Sequence, residues 1–368
     1  MKQKFLFLAV AATMAMSSCS NDEVISEQQN AIGFEVLTTK ANKPSTYATE
    51  MTTSLLRTFN VWGYYHATAS TDYSGTPYID VDPSRASSSD EFEYSPLKYW
   101  PAVSGSEIDF FAVTPKTYTT RGTGASNSMP FTCTVGATAA AQEDLLFAQT
   151  FGADSTNGGG THGDATGGDA LTNPAHNGRK SVVLHFHHAL SQIKFEARSA
   201  SSEVKFIINS ISLKTVMPDG SVDIATWTPK ATDPANGGNG LVWTASGTEV
   251  DYAYSLKTDS VKYSTSTYTN ITGTDGTLML IPQATTAMTV EINYDAFDNA
   301  SGIQLVDDAT KTIPAGTSAN QFADQVSAWL PGVTYTYRLT INPDALVPIL
   351  FDAEVEAWAD GTNTDVTI

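Results

Sequence analysis

The sequence predicts an all-β protein built as two tandem β-sandwich domains. Short runs rich in β-branched and aromatic residues recur along the chain, separated by Gly, Asn, Asp, Ser and Pro. No amphipathic helical pattern of about a dozen residues interrupts them. The chain has 368 residues, 41% of them hydrophobic, which is enough for a sizeable core. At roughly 150 residues per domain, that length corresponds to two or three domains.

In chain order, Ile32 to Val36 alternates apolar and other residues, and Thr58 to Tyr64 does the same with large aromatics. Strands are then expected at Glu107–Val113, Ser181–Phe186, Ile193–Ala197 and Val204–Leu213. Further strands are expected at Thr277–Ile281, Thr289–Tyr294, Thr334–Ile341 and Ile349–Trp358. Thr138–Leu146 and Ser318–Trp329 each have room for a short helix. Phe151 to Gly178 is Gly-rich and nearly devoid of large apolar residues. Such a stretch cannot offset its ordering entropy by burial, and it reads as a long exposed loop or linker. Many short strands with frequent turns favour sandwiches over other β architectures.

Thirty-nine acidic against 20 basic residues leave a net charge of −19. A field of that sign repels phosphate backbones, so nucleic acid is excluded as a partner. It also argues against docking on anionic lipid through a basic surface. The two cysteines, Cys19 and Cys133, cannot form a disulfide framework or a multi-cysteine metal site. Lys2, Lys4 and the apolar run Phe5 to Ala12 have the layout of a signal peptide over residues 1–18. The run Met16-Ser17-Ser18-Cys19 resembles a bacterial lipobox, in which Cys19 becomes the acylated N-terminus. Residues 19–30 then form a flexible lipid-proximal linker. Cys133, in Phe131-Thr132-Cys133-Thr134-Val135, reads as a small buried apolar residue.

The first and last strands share a property. Ile32, Phe34 and Val36 lie on one face of the first. Ile349, Phe351, Ala353, Val355 and Ala357 lie on one face of the last, with Asp352, Glu354 and Glu356 opposite. Removal of the first strand would open a groove that a neighbour's last strand has the pattern to fill by strand addition. On the residues alone, the plainer reading is that each is an ordinary strand of its own domain.

No HExxH, GxSxG, P-loop or GxGxxG motif is present, and no carboxylate pair is singled out, so no catalytic residue is assigned. His185 and His187 share a strand face beside His188, but no Cys or carboxylate stands at ligand spacing, and no metal or cofactor is expected. Asp154, Asp164 and Asp169 lack the alternating ligands of a calcium loop. Most of the six tryptophans and 15 tyrosines fall on expected strands, where core packing is the default.

Several short segments stand out in order: Thr38-Thr39-Lys40-Ala41, Phe59 to Tyr65 (FNVWGYY), Lys98-Tyr99-Trp100-Pro101, Asp109-Phe110-Phe111-Ala112 and Glu143 to Ala148 (EDLLFA). Leu184 to Ile193 (LHFHHALSQI), Leu278 to Gln283 (LMLIPQ), Pro331 to Tyr337 (PGVTYTY) and Val355-Glu356-Ala357-Trp358 follow. In their number and order these segments resemble the fimbrillin family, the subunits of type V pili in Bacteroides-type bacteria. The resemblance implies two transthyretin-like sandwiches, here residues 31–188 with the first strand at 31–38, and residues 189–368 with the terminal strand at 349–358. It also implies a lipoprotein precursor at the outer membrane and cell surface. A trypsin-like protease would cut after Lys40, or alternatively after Arg57. Neighbouring fimbrial subunits would then exchange strands and support adhesion. The alternative from a different class is a monomeric surface lipoprotein that binds glycan or a host ligand.

Overall fold

The structure, a computed structural model, describes residues 31–38, 56–86, 92–103, 105–153, 180–229, 233–235, 237–254, 261–272, 277–342 and 350–358. Cys19, Lys40, Ile349 and the acidic residues Asp154, Asp164 and Asp169 lie outside the described residues.

The first strands are β1 (Ile32–Thr38), β2 (Asn60–His66), β3 (Ile79–Val81), β4 (Glu107–Thr114), β5 (Thr119–Arg121), β6 (Pro130–Thr134), β7 (Leu146–Ala153) and β8 (Lys180–His188). Then come β9 (Ser191–Ser199), β10 (Val204–Val216), β11 (Asp219–Asp223), β12 (Trp243–Ser246), β13 (Val250–Ala253) and β14 (Thr269–Asn270). The last are β15 (Leu278–Leu280), β16 (Thr289–Asp298), β17 (Gln304–Ile313), β18 (Val333–Ile341) and β19 (Leu350–Ala357). No α-helix occurs among the described residues.

The strands form sheets in the orders β1-β8-β7-β4-β2-β3, β12-β11-β6-β5, β13-β10-β16-β17 and β14-β9-β18-β19, with β15 also on β9. One face of the six-stranded sheet carries Val61, Ile108, Phe110, Ala112, Val182, Leu184 and Phe186 in a core of its own. Its other face sets Trp62 and Phe147 against Phe131 of β6, at ring separations of 5.6 and 5.1 Å. In the second sandwich, Phe195 and Tyr337 stack at 5.5 Å, and the Tyr254 hydroxyl donates to the Ile193 carbonyl at 2.9 Å. The all-β sandwich class is therefore realised.

β8 ends at His188 and β9 begins at Ser191, on either side of a tight step. The sheet around β6 takes strands from both sides of that step. β11 pairs with β6 from Asp219↔Thr134 to Asp223↔Pro130, and β12 extends it. A single buried cluster runs from Trp62 to Trp358 across both sandwiches.

Neither short helix forms. Thr138–Leu146 holds one 3-10 turn, Ala139–Ala141, before β7 starts. Tertiary bonds hold the rest extended: Gln142 Nε2 donates to the Gly136 carbonyl at 3.0 Å, and Met279 N–H donates to Gln142 Oε1 at 2.7 Å. Ser318–Trp329 is a run of turns, with Asn320 at φ 63°. Its helix-like spacing arises because Phe322, Val326 and Trp329 all turn inward to the core. The Gly-rich stretch also starts later than expected, since Phe151 to Ala153 belong to β7 and Phe151 packs on Phe111 at 5.6 Å.

Candidate functional site: the exchangeable edge strands

β1 occupies the edge of the six-stranded sheet, parallel to β8, in register from Ile32↔Lys180 to Thr38↔Phe186. Its apolar face is buried: Ile32 is 0% exposed, Phe34 5% and Val36 5%. Each fully buried side chain of this kind contributes roughly 1.5–3 kcal/mol. The far edge of β1 is also gripped. Ile32 N–H donates to the Lys98 carbonyl at 2.9 Å, the Tyr94 hydroxyl donates to the Ile32 carbonyl at 2.8 Å, and Ala31 bridges to Tyr99. β1 therefore lies in a slot between β8 and the 94–99 segment.

The floor of that slot is aromatic. Phe34 meets Phe59 at 5.9 Å, Tyr94 at 5.5 Å and Phe110 at 5.9 Å, edge-on or tilted in each case. Phe59 in turn touches Phe92 and Phe186, and Trp100 touches Phe110. These walls all come from outside β1, so they stay behind if β1 leaves.

β19 is an edge strand of the other sandwich, antiparallel to β18 from Val333↔Ala357 to Thr340↔Leu350. Ala353 and Val355 are buried, at 4% and 3% exposure, and Ala357 is half-buried. On the opposite face Arg338 of β18 makes ion pairs with Glu196 of β9, at 3.2 Å, and with Glu354 of β19. The three side chains are partly exposed, at 19–30%, so solvent screening keeps the contribution of the ladder small.

Just past β19, Trp358 is 2% exposed and stacks on His188 at 4.4 Å with 12° between planes. His188 Nδ1 lies 2.9 Å from Asp144, also buried. Trp358 N–H donates to the Gly332 carbonyl at 2.6 Å, and Gly332 N–H donates to the Leu190 carbonyl at 2.9 Å. Gly332 sits at φ 70°, which explains the glycine of the Pro331-Gly332 turn. The step between β8 and β9 is tied further, because Asn239 donates to the His188 carbonyl and Trp243 to that of Ala189, each at 2.7 Å. Spacing alone gives no hint of the Asp144–His188–Trp358 contact, although each residue falls in one of the short segments that carry the family resemblance.

Arg57 is half-buried between Leu56 and the Thr58↔Ser84 bridge, and its carbonyl accepts a bond from Arg85 N–H at 2.9 Å. A protease needs an extended backbone free of such bonds, so Arg57 is poorly presented. His185 is half-exposed, and His187 is buried edge-on to Trp227 at 5.4 Å. Among the described residues, no group of three or more His, Cys, Asp or Glu could hold a metal ion. Trp62, Trp100, Trp227, Trp329 and Trp358 are all buried, which leaves only Trp243 partly open for stacking on a ligand.

An all-β chain with two sandwiches and a buried, slotted edge strand is the class of protein that fold and site define. The fimbrillin-like family model matches residues 46–358, and the chain belongs to that family of structural, non-enzymatic surface proteins. The matched stretch starts after β1 and ends at Trp358. No curated protein matches the sequence significantly. Solved structures that match the chain include a candidate cell adhesion protein of Bacteroides uniformis, 15% identical at TM-score 0.47, covering 89% of this chain and 98% of that one. A candidate cell adhesion protein of Parabacteroides distasonis is 10% identical at TM-score 0.49, with coverages of 91% and 99%. The fimbrial anchor protein Mfa2 of Porphyromonas gingivalis is 7% identical at TM-score 0.32, with coverages of 89% and 98%.

Proposed function

We propose that the protein is a subunit of a cell-surface fimbria that polymerises by strand exchange. The precursor is anchored through acylated Cys19 in the outer membrane, and a trypsin-like protease cuts after Lys40 rather than after the backbone-bonded Arg57. Loss of β1 vacates the seats of Ile32, Phe34 and Val36. The terminal strand of a neighbouring subunit, with Ile349, Phe351, Ala353, Val355 and Ala357 on its apolar face, refills them. The division into sandwiches falls at the 188–190 step, with β11 and β12 reaching back across it. The observation that carries this reading is the slot: β1 is an edge strand whose removal leaves a preformed aromatic floor, with hydrogen-bonding backbone on both sides.

The seated position of β19 sets a cost. Before donation it must leave β18, the Arg338 ladder and the Trp358–His188 stack. That cost favours a precursor that stays monomeric until an empty slot offers the strand an equivalent site.

Mild trypsin treatment of the precursor tests this reading. The expected result is loss of the segment up to Lys40, followed by SDS-resistant ladders, and Phe351→Asp abolishes the ladders while the precursor stays folded. A clipped protein that remains monomeric, or normal ladders from Phe351→Asp, would overturn strand exchange and leave the ligand-binding lipoprotein as the better description.

A further inference from the structure

The two edge strands carry one pattern twice. Ile32-Gly33-Phe34-Glu35-Val36 and Ile349-Leu350-Phe351-Asp352-Ala353 each place an isoleucine, a phenylalanine two residues on, an acid next and a small aliphatic residue last. Phe351 is also the only aromatic residue of β19. On β1 the phenylalanine of this pattern fills the aromatic seat formed by Phe59, Tyr94 and Phe110, and the isoleucine fills a site with no exposure at all.

We infer that the terminal strand of a second copy enters the slot parallel to β8, with Phe351 in the seat of Phe34. This inference rests on the strand-exchange reading and specifies its register and direction. Ile349 then takes the seat of Ile32, and Ala353 that of Val36. Because Gly33 pairs with Ser181 and Glu35 with Val183, Leu350 comes opposite Ser181 and Asp352 opposite Val183.

The reversed direction about the same phenylalanine fits worse at each neighbouring site. Ala353 would fall in the fully buried seat of Ile32 and leave a void, while Ile349 would be forced into the smaller seat of Val36. Asp352 would land at Gly33, a buried position, where an unpaired carboxylate is costly. In the parallel direction uncharged Leu350 takes that position, and the acid returns to the place that Glu35 holds on β1. The only loss is the pair of methyl groups between Val36 and Ala353. A slip of two residues in either direction would put Ile349 or Ala353, neither of them aromatic, in the phenylalanine seat.

Paired cysteines in the full chain test the register. Residues directly opposite on neighbouring strands are within disulfide reach. One variant combines Ser181→Cys with Leu350→Cys, and the other combines Ser181→Cys with Asp352→Cys; single-cysteine variants serve as controls. After trypsin processing and mild oxidation, the first pair is expected to give covalent ladders that collapse on reduction, and the second pair only monomers on boiling. Ladders from the second pair alone, or equally from both, would overturn the parallel register. SDS-resistant polymers that neither pair locks would overturn the register and leave strand exchange standing. Absence of polymers from the unsubstituted chain would overturn strand exchange itself, and the inference with it.

Discussion

The rings of His188 and Trp358 lie face to face, 4.4 Å apart, one at the end of β8 and the other just past β19. The stack joins two strands far apart in the sequence, the end of β8 to the end of β19. His188 is fixed from behind by Asp144, and Trp358 is fixed through its backbone to Gly332. Among the described residues neither His188 Nε2 nor Trp358 Nε1 has a hydrogen-bond partner, so the contact is held by packing and ring overlap on that side. The end of β19 is thereby anchored to the end of β8.

Trp358→Ala should therefore destabilise the precursor by about 3–5 kcal/mol, the usual cost of emptying a buried aromatic site. Trp358→Phe, which keeps a ring over His188, should lose less than half of that. Urea denaturation checks both values. A loss below about 1 kcal/mol for the alanine variant would show that the anchor is weaker than its burial indicates.

Phe34→Ala should cost the precursor a similar ~3–5 kcal/mol, but locally. The groups left facing a void belong to Phe59, Tyr94 and Phe110. Amide exchange in β8, the parallel partner of β1, should accelerate, while β18 stays protected. Uniform acceleration across both sheets would argue against a slot that opens independently.

Asp109 predicts a pH effect. Its carboxylate accepts from the Tyr73 hydroxyl at 2.9 Å and from Gly152 N–H at 2.7 Å, and burial outweighs these bonds and holds its pKa above the ordinary carboxylate value. The folded state then binds this proton more tightly than the unfolded state, so the group's contribution to stability falls as pH rises above about 4. Asp109→Asn removes that slope. Thermal melts from about pH 4 to about pH 5.5, below most histidine titration, should show the variant gaining on the unsubstituted protein as pH increases. A constant difference would contradict the shift.

Cys133 should be inert in the folded chain. It is 3% exposed, and burial, with the charge of Asp219 adding to it, pushes its thiol up to about 12. Iodoacetamide at neutral pH should leave it unmodified for hours and label it fully in denaturant, as read by intact mass. Labelling of the native protein would mean that the face of β6 opens readily.

Strand identity was legible in the sequence wherever alternation was strong. β1, β2, β4, β8, β9, β10, β16, β18 and β19 all coincide with runs of β-branched and aromatic residues. β11, with the sequence Asp-Gly-Ser-Val-Asp, and the mostly exposed β17 do not stand out, because their partners rather than their own side chains make them strands. The burial of Cys133 and the apolar faces of the two edge strands could also be read directly, since side-chain alternation is a property of the local backbone.

Which strands meet was decided only by the tertiary structure. Pairing between β6 and β11, the grip of Tyr94 and Lys98 on β1, and the Asp144–His188–Trp358 contact all join segments far apart in the chain. No local pattern encodes such contacts, because their free energy depends on burial and hydrogen-bond geometry that exist only once both sandwiches have closed. The sequence by itself determined that this chain forms strands with two matching edge faces. The fold decided that one of them lies in a slot with a standing aromatic floor and that the other ends in a tryptophan stacked on His188 and bonded through its backbone to Gly332.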